Sequence, residues 1–421
     1  MKELILGIDL CDDYTQISLF DPETQDAVAV DLSSTEGGNG MMPTVLCRMR
    51  GQENWHTGEE VYRYALFGKG VMVNKLVSLL AKAGMATIDG VQYSAEELME
   101  AFLTRILDGV REKTGVDTIA SLTFTLQDLD VGVMNTLIDI SERLGIPREN
   151  IHMMSHTECF VFYVLSQKRE VWANQTCLFD LTENGLHYYE MRIIRGRKPQ
   201  VVEAQHVKLP DGFSLDILDT EAGCKMADAI MCSCADRMMG RKLISSVFLV
   251  GRGFERSDWA TEFIRKVCAK RRAFVGQQLF ARGAAYGAMD FLRETSAYPF
   301  VFLCEGRLRY QVSVRAMTDG VEQQVVLVPW GSNWYDARVS AEFIINDAHS
   351  VDFQVARTDR AQVSSLSVPL DDFPARPNKT TKIEVILSFP DLDRMEVSVL
   401  DKGFGEFFSP SYTMVRREFT L

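Results

Sequence analysis

His152 and His156 stand four apart, the spacing that places two imidazoles on one helix face as metal ligands. No third ligand is close in the sequence, and the segment reads as a strand running into a helix, so no metal is expected there. Cys224, Cys232 and Cys234 form the one cluster among nine cysteines. The number is odd and no Cys-x-x-Cys pair occurs, which argues against a disulfide framework or a zinc ribbon. These three read as buried thiols in a small-residue helix. Arg265, Lys266, Lys270, Arg271 and Arg272 could meet a phosphate backbone, but they follow a helix and read better as a solvated face.

The elements that must position any chemistry fall into two similar sets. Leu4-Ile5-Leu6-Gly7-Ile8-Asp9-Leu10 and Thr176-Cys177-Leu178-Phe179-Asp180-Leu181 are apolar runs ending in Asp-Leu. Each is followed by a tight connection and a β-rich return, Tyr14 to Phe20 and Leu186 to Ile194, the signature of a hairpin. A third strand follows each, Ala27 to Asp31 and Gln200 to Gln205. Ser94 with Glu97 makes a capping box for a helix reaching Lys113. Further helices are expected over Val133–Leu144, Glu158–Gln167, Asp216–Met239, Trp259–Lys270 and Leu279–Leu292, with buried strands at Ile119–Thr125 and Val247–Val250. Strand–strand–strand–helix–strand–helix, twice, implies a two-lobed α/β domain with a cleft between the lobes. After Glu294 the pattern alternates with period two and is punctuated by turns such as Asp401-Lys402-Gly403, which predicts an all-β sandwich. The expected boundaries are 1–175 for lobe I, 176–296 for lobe II and 297–421 for the sandwich.

Composition narrows the function classes. Hydrophobic residues make up 46% and charged residues 24%, as in ordinary globular chains, so disorder and collagen-like repeats are excluded for the whole. The 58 acidic residues outnumber 45 basic ones, a formal charge of -13 that repels nucleic acid and anionic lipid. No apolar run approaches a spanning helix. Only five apolar residues separate Glu3 from Asp9, too few for a signal sequence. A cytoplasmic protein is expected, with neither nucleic acid nor membrane as partner.

These residues resemble the actin-like ATPase superfamily (the ribonuclease-H-like fold), and within it the DnaK-type heat-shock chaperones. Gly7-Ile8-Asp9-Leu10 with Tyr14 resembles that family's first phosphate motif, and Leu178-Phe179-Asp180-Leu181 its second. Leu249-Val250-Gly251-Arg252-Gly253 resembles the adenosine motif, and Ala281-Arg282-Gly283-Ala284-Ala285 the closing helix of the nucleotide domain. Gly58-Glu59-Glu60-Val61 and Lys75-Leu76 sit where the first lobe has comparable sequence. Val368-Pro369-Leu370, Phe373-Pro374-Ala375-Arg376-Pro377, Lys382-Ile383-Glu384-Val385 and Val397 to Lys402 resemble the peptide-binding sandwich, without a helical lid after it.

The resemblance implies Mg-ATP at Asp9, Asp12, Asp13, Asp180, Gly185, Gly251 and Gly253, with Lys75, Asp9 and Asp180 as the catalytic groups if the site is active. Two alternatives stand beside it: the aspartates cap the hairpin backbone, and Lys75 is a surface lysine over apolar neighbours. Several departures argue against ATP. The first turn, Cys11-Asp12-Asp13, lacks the glycines that let backbone N–H groups approach an anion, and it brings two carboxylates instead. Asn184-Gly185 predicts a self-sufficient type I′ turn beside Glu183. His156 stands at the family's cleft glutamate, and Thr157 at the proline after it. Arg252 and Phe254 replace small residues. The stretch Pro210–Ser246 leaves room for little more than one helix where the relatives have an adenosine-clasping subdomain. Lys242 and Arg241 could be remnants of that clasp, or a solvated helix end. The expectation is a chaperone-like scaffold with a degenerate nucleotide site and no cofactor, binding a protein or peptide through the sandwich. Trp330, Trp334 and Tyr335 would line a groove there or pack in its core. The alternative is a working ATP-dependent chaperone.

Overall fold

Leu4–Leu10 (β1) is buried along its whole length, and Tyr14–Asp21 (β2) returns beside it as the antiparallel arm of a hairpin. The computed structural model describes residues 3–32, 40–196, 199–358 and 363–421, and the chain divides into two units, Met1–Phe300 and Val301–Leu421.

In the first unit, β3 (Asp26–Ala29) and β4 (Met42–Pro43) pair with β2. A small three-stranded sheet follows: β5 (Leu46–Met49), β6 (Trp55–Thr57) and, after α1 (Glu60–Leu66), β7 (Gly70–Val73). Val45, Cys47 and Val61 form its core. Next come α2 (Leu76–Ala81) and the hairpin β8 (Met85–Ile88) and β9 (Val91–Ser94). They lead to α3 (Ala95–Thr114), whose first turn holds the Ser94/Glu97 capping box. β10 (Ile119–Leu126) lies parallel to β1, α4 (Val131–Arg143) is capped by Asp130, and β11 (Ile151–Ser155) lies parallel to β10. Helix α5 spans His156–Leu165, starting two residues before the expected Glu158. Ser155 fixes that start, because its hydroxyl accepts from the Glu158 N–H.

The pattern then recurs. β12 (Gln175–Thr182), β13 (Gly185–Ile194) and β14 (Gln200–Leu209) form an antiparallel meander, followed by α6 (Glu221–Met239). β15 (Ile244–Val250) and, after α7 (Thr261–Cys268), β16 (Arg272–Val275) add in parallel on the other side of β12. Helix α8 (Leu279–Phe291) ends the set. The first sheet has the order β11-β10-β1-β2-β3, and these five strands of the second run β16-β15-β12-β13-β14. Counted from its own first strand, each sheet has the same order and the same strand senses.

The helix expected over Asp216–Met239 is broken. Leu215–Asp219 is a 3₁₀ turn, and Thr220 takes extended dihedrals while its hydroxyl accepts from the Gly223 N–H. Helix α8 follows the second sheet in the chain but packs on β1, β2 and β10 of the first, and on α5. That approach is close: a Cβ at Gly7 would overlap the backbone of Ala281 and Ala285. Gly7, read as part of a phosphate motif, is therefore needed for strand–helix packing.

The second unit begins along β17 (Phe300–Leu303) and contains two four-stranded antiparallel sheets. One comprises β18 (Tyr310–Thr318), β19 (Val321–Val328), β21 (Ser350–Arg357) and β22 (Val363–Pro369) in the order β19-β18-β21-β22. The other is β20 (Val339–Ile344), β23 (Lys382–Ser388), β24 (Arg394–Gly403) and β25 (Met414–Thr420), in that order. Burial alternates residue by residue along β23 and β24, as a half-buried sheet requires. Leu308, Val312, Phe353, Val385, Met395 and Val399 meet in one core. Among the described residues no helix is long and apolar enough to cross a membrane.

Candidate functional site

Asp9 lies near the end of β1 and Asp180 near the end of β12, each on the innermost strand of its sheet. Both are buried. Asp9 Oδ1 is 2.8 Å from His156 Nε2, at the start of α5, and the Cys11 thiol donates to the same oxygen at 3.5 Å. The imidazole stacks on Phe280 of α8, with ring centroids 4.0 Å apart and planes 8° apart. Asp9 Oδ2, His156 Nδ1 and Asp180 Oδ1 are buried without a hydrogen-bond partner.

The electrostatics follow from burial and mutual charge. Burial pushes the Asp180 carboxyl up to about 7, against the opposing pull of His156 and with a further push from Asp9. Burial pulls the His156 imidazole down, yet the Asp9 charge and hydrogen bond, together with the Asp180 and Asp128 charges, more than offset this and leave it raised. Burial, then Asp9 and Asp180, push the Cys11 thiol well above its ordinary value.

The two hairpin turns next to these aspartates are occupied by their own chain. Asp12 does not project freely. Its carboxylate accepts the Ser78 N–H at 2.9 Å and the Ser78 hydroxyl, at the start of α2. The Cys11 N–H is given to the Tyr14 carbonyl at 3.0 Å. Asp13 is raised by burial and by Asp12, while Lys75 and Arg252 pull it back. Lys75 is exposed at the N-cap of α2 with φ 55°, in left-handed backbone. In the second turn, Arg252 reaches Glu183 at 3.4 Å. The type I′ turn expected at Asn184-Gly185 is not formed, since neither Glu183 nor Asn184 has positive φ. Gly185 takes it instead, at 115°, and the Thr182 hydroxyl accepts the Asn184 N–H at 3.2 Å.

Gly251 sits against Asp180: a Cβ there would overlap Asp180 Oδ1 and the Leu181 carbonyl. Gly253 packs on the Leu181 side chain, and Phe254 is buried against Trp259 and Phe263. Lys242 is not a free solvated end. It pairs with buried Glu190, which also accepts from Tyr188 and Gln205. In the basic stretch, Arg265 pairs with Glu262 and Lys266 with Asp236, while Arg271 and Arg272 donate to the carbonyls of Lys266 and Glu170.

Sequence reasoning did not find a second cluster beside this one. His187 on β13 lies 2.8 Å from His206 on β14 and 3.1 Å from Gln127, at the end of β10. Burial, with the neighbouring His206 and Lys208, pulls His187 down to about 3, so it is neutral. The two histidines spaced four apart have different partners: His152 stacks on Phe291 and His156 on Phe280, and burial holds His152 neutral with a pKa of about 4. All nine cysteines are free, and Cys224, Cys232 and Cys234 lie on α6.

In the second unit, Trp330 donates its indole N–H to the Ala356 carbonyl at 2.9 Å, and Trp334 packs on the sandwich core with its ring edge to Tyr335.

Two family models match the chain. Residues 29–305 match the C-terminal part of a family of unknown function, DUF5716, and residues 307–421 match a domain of unknown function, DUF8552. No curated protein matches it.

Proposed function

The chain belongs over residues 29–305 to the DUF5716 family of unknown function, and from its side chains we propose a chaperone-like, protein-binding scaffold built on a degenerate actin-like nucleotide domain. The repeated strand order supports the actin-like reading, as does an aspartate at the same place in both sheets. One observation supports the loss of nucleotide binding: an N–H of each hairpin turn, and the acids beside it, are already engaged within the chain. The Cys11 and Asn184 N–H groups are already donated, Asp12 is held by Ser78, Arg252 by Glu183, and Asp9 faces His156. A triphosphate needs those N–H groups free and the acids withdrawn, so these residues do not fit Mg-ATP.

Partner binding falls to the sandwich. Trp330 and Trp334 are engaged within it, which leaves its edge strands. β19 is an edge strand that exposes Val321 and Val326 and suits addition of an extended peptide strand.

Isothermal calorimetry of the full chain with millimolar Mg-ATP should give no binding heat. Micromolar binding that disappears in Asp9→Asn or Asp180→Asn would overturn this and restore the active ATPase. A partner captured by the full chain should be lost when residues 301–421 are removed. Capture unchanged by that deletion would remove the sandwich from the role.

A further inference from the structure

We propose that Cys11, Asp9 and His156 bind one divalent transition-metal ion of the zinc class. Among the described residues, one donor atom from each of the three lies within 4.8 Å of the others. A tetrahedral ion bound at about 2.0–2.3 Å holds its donors roughly 3.3–3.7 Å apart. Cys11 Sγ is already 3.5 Å from Asp9 Oδ1, and His156 Nε2 stands 2.8 Å from that oxygen. Seating an ion therefore asks for side-chain shifts of about an ångström.

A second observation points to a ligand. Asp9 is fully buried, yet its Oδ2 has no partner. A buried carboxylate oxygen left unsatisfied is destabilising, and a cation held by both oxygens of Asp9 removes that cost.

The donor set selects the metal. One thiolate, one imidazole and one carboxylate suit zinc, cobalt and their neighbours, whereas magnesium and calcium prefer oxygen alone. Phe280, stacked on the imidazole, holds the ring in place, and Cys11 is only partly buried. On binding, the Cys11 S–H bond breaks, the proton passes to solvent, and the sulfur electron pair forms the metal bond. A neutral His156 ligates as the tautomer with its proton on Nδ1, and an imidazolium releases its Nε2 proton to solvent. The ion would then tie the first hairpin turn to the start of α5. The reading does not depend on whether nucleotide binds, and its test uses none.

The metal-free full chain is titrated with Co²⁺. One equivalent should produce a thiolate-to-cobalt charge-transfer band in the near ultraviolet, displaced by Zn²⁺ and not by millimolar Mg²⁺. Cys11→Ser should abolish the band, and His156→Gln should weaken Co²⁺ by about tenfold or more. Cys224→Ser should change neither. Circular dichroism checks that each variant is folded, and Cys11→Ala reads the same loss should the serine variant fail to fold. Absence of a band, or a band that survives both Cys11 substitutions, would overturn the proposal.

Discussion

Gly251 shows how one residue's freedom is set by a distant neighbour. Its φ of 89° and ψ of 164° lie in a region that side chains rarely adopt, and a Cβ would overlap Asp180 Oδ1 and the Leu181 carbonyl. Gly276, a little further along, has open space around it and no positive φ. Gly251→Ala should therefore destabilise the chain by at least about 2 kcal/mol. Gly276→Ala should stay within about 0.5 kcal/mol. Urea unfolding of the two variants side by side tests this, and equal effects would refute the packing explanation. The run Leu249 to Gly253 is legible as a motif in the sequence. The reason for its glycine is not, because Asp180 belongs to another strand and is brought alongside only when β12 and β15 pair. Likewise Asp12 and Ser78 carry no local mark of being partners, 66 residues apart.

Among the helices, α7 depends on a cap it does not carry. Ala260, at its N-cap, offers no side-chain acceptor, and the helix is shorter at both ends than Trp259–Lys270 suggested. Trp259 turns back to donate its indole N–H to the Gly253 carbonyl. The first-turn N–H groups of Glu262 and Phe263 are accepted by Asp228 of α6, at 2.9 and 2.8 Å. Asp228→Ala should cost about 1–2 kcal/mol, as loss of a cap does. It should also speed amide exchange at Glu262 and Phe263 while α3 stays protected. Unchanged exchange there would mean that other groups satisfy this helix end. Helix α3, by contrast, has its whole cap within four residues at Ser94 and Glu97, so its start is readable from sequence.

At the scale of the molecule, a buried ion pair ties one of the two units to pH. In the second, Asp401 is buried and accepts both guanidinium N–H groups of Arg376, at 2.7 and 2.8 Å, along with Ser411 and the Gly403 N–H. Burial alone would raise its carboxyl, but these donors hold it well below the usual carboxylate range. A depressed folded-state value contributes stability that is present above the unfolded value of about 3.9, and is lost as pH falls toward the folded one. The second unit should thus lose stability progressively below about pH 4. Asp401→Asn should destabilise it by about 3–5 kcal/mol at neutral pH, since Arg376 is left buried without its charge partner. It should also flatten that unit's acid dependence. Thermal unfolding followed by tryptophan fluorescence from Trp330 and Trp334 reports it, and an unchanged acid profile in the variant would refute the role of this pair. The sequence by itself determined the runs ending in Asp9 and Asp180, the capped start of α3 and the alternating strands of the sandwich. These rest on periodicity and on hydrogen bonds within a turn or two. Tertiary structure alone decided that Asp9 faces His156, 147 residues away, and that Glu183 meets Arg252 across 69. Such pairings depend on how the two sheets and the helices packed on them come together, and no local stretch encodes that.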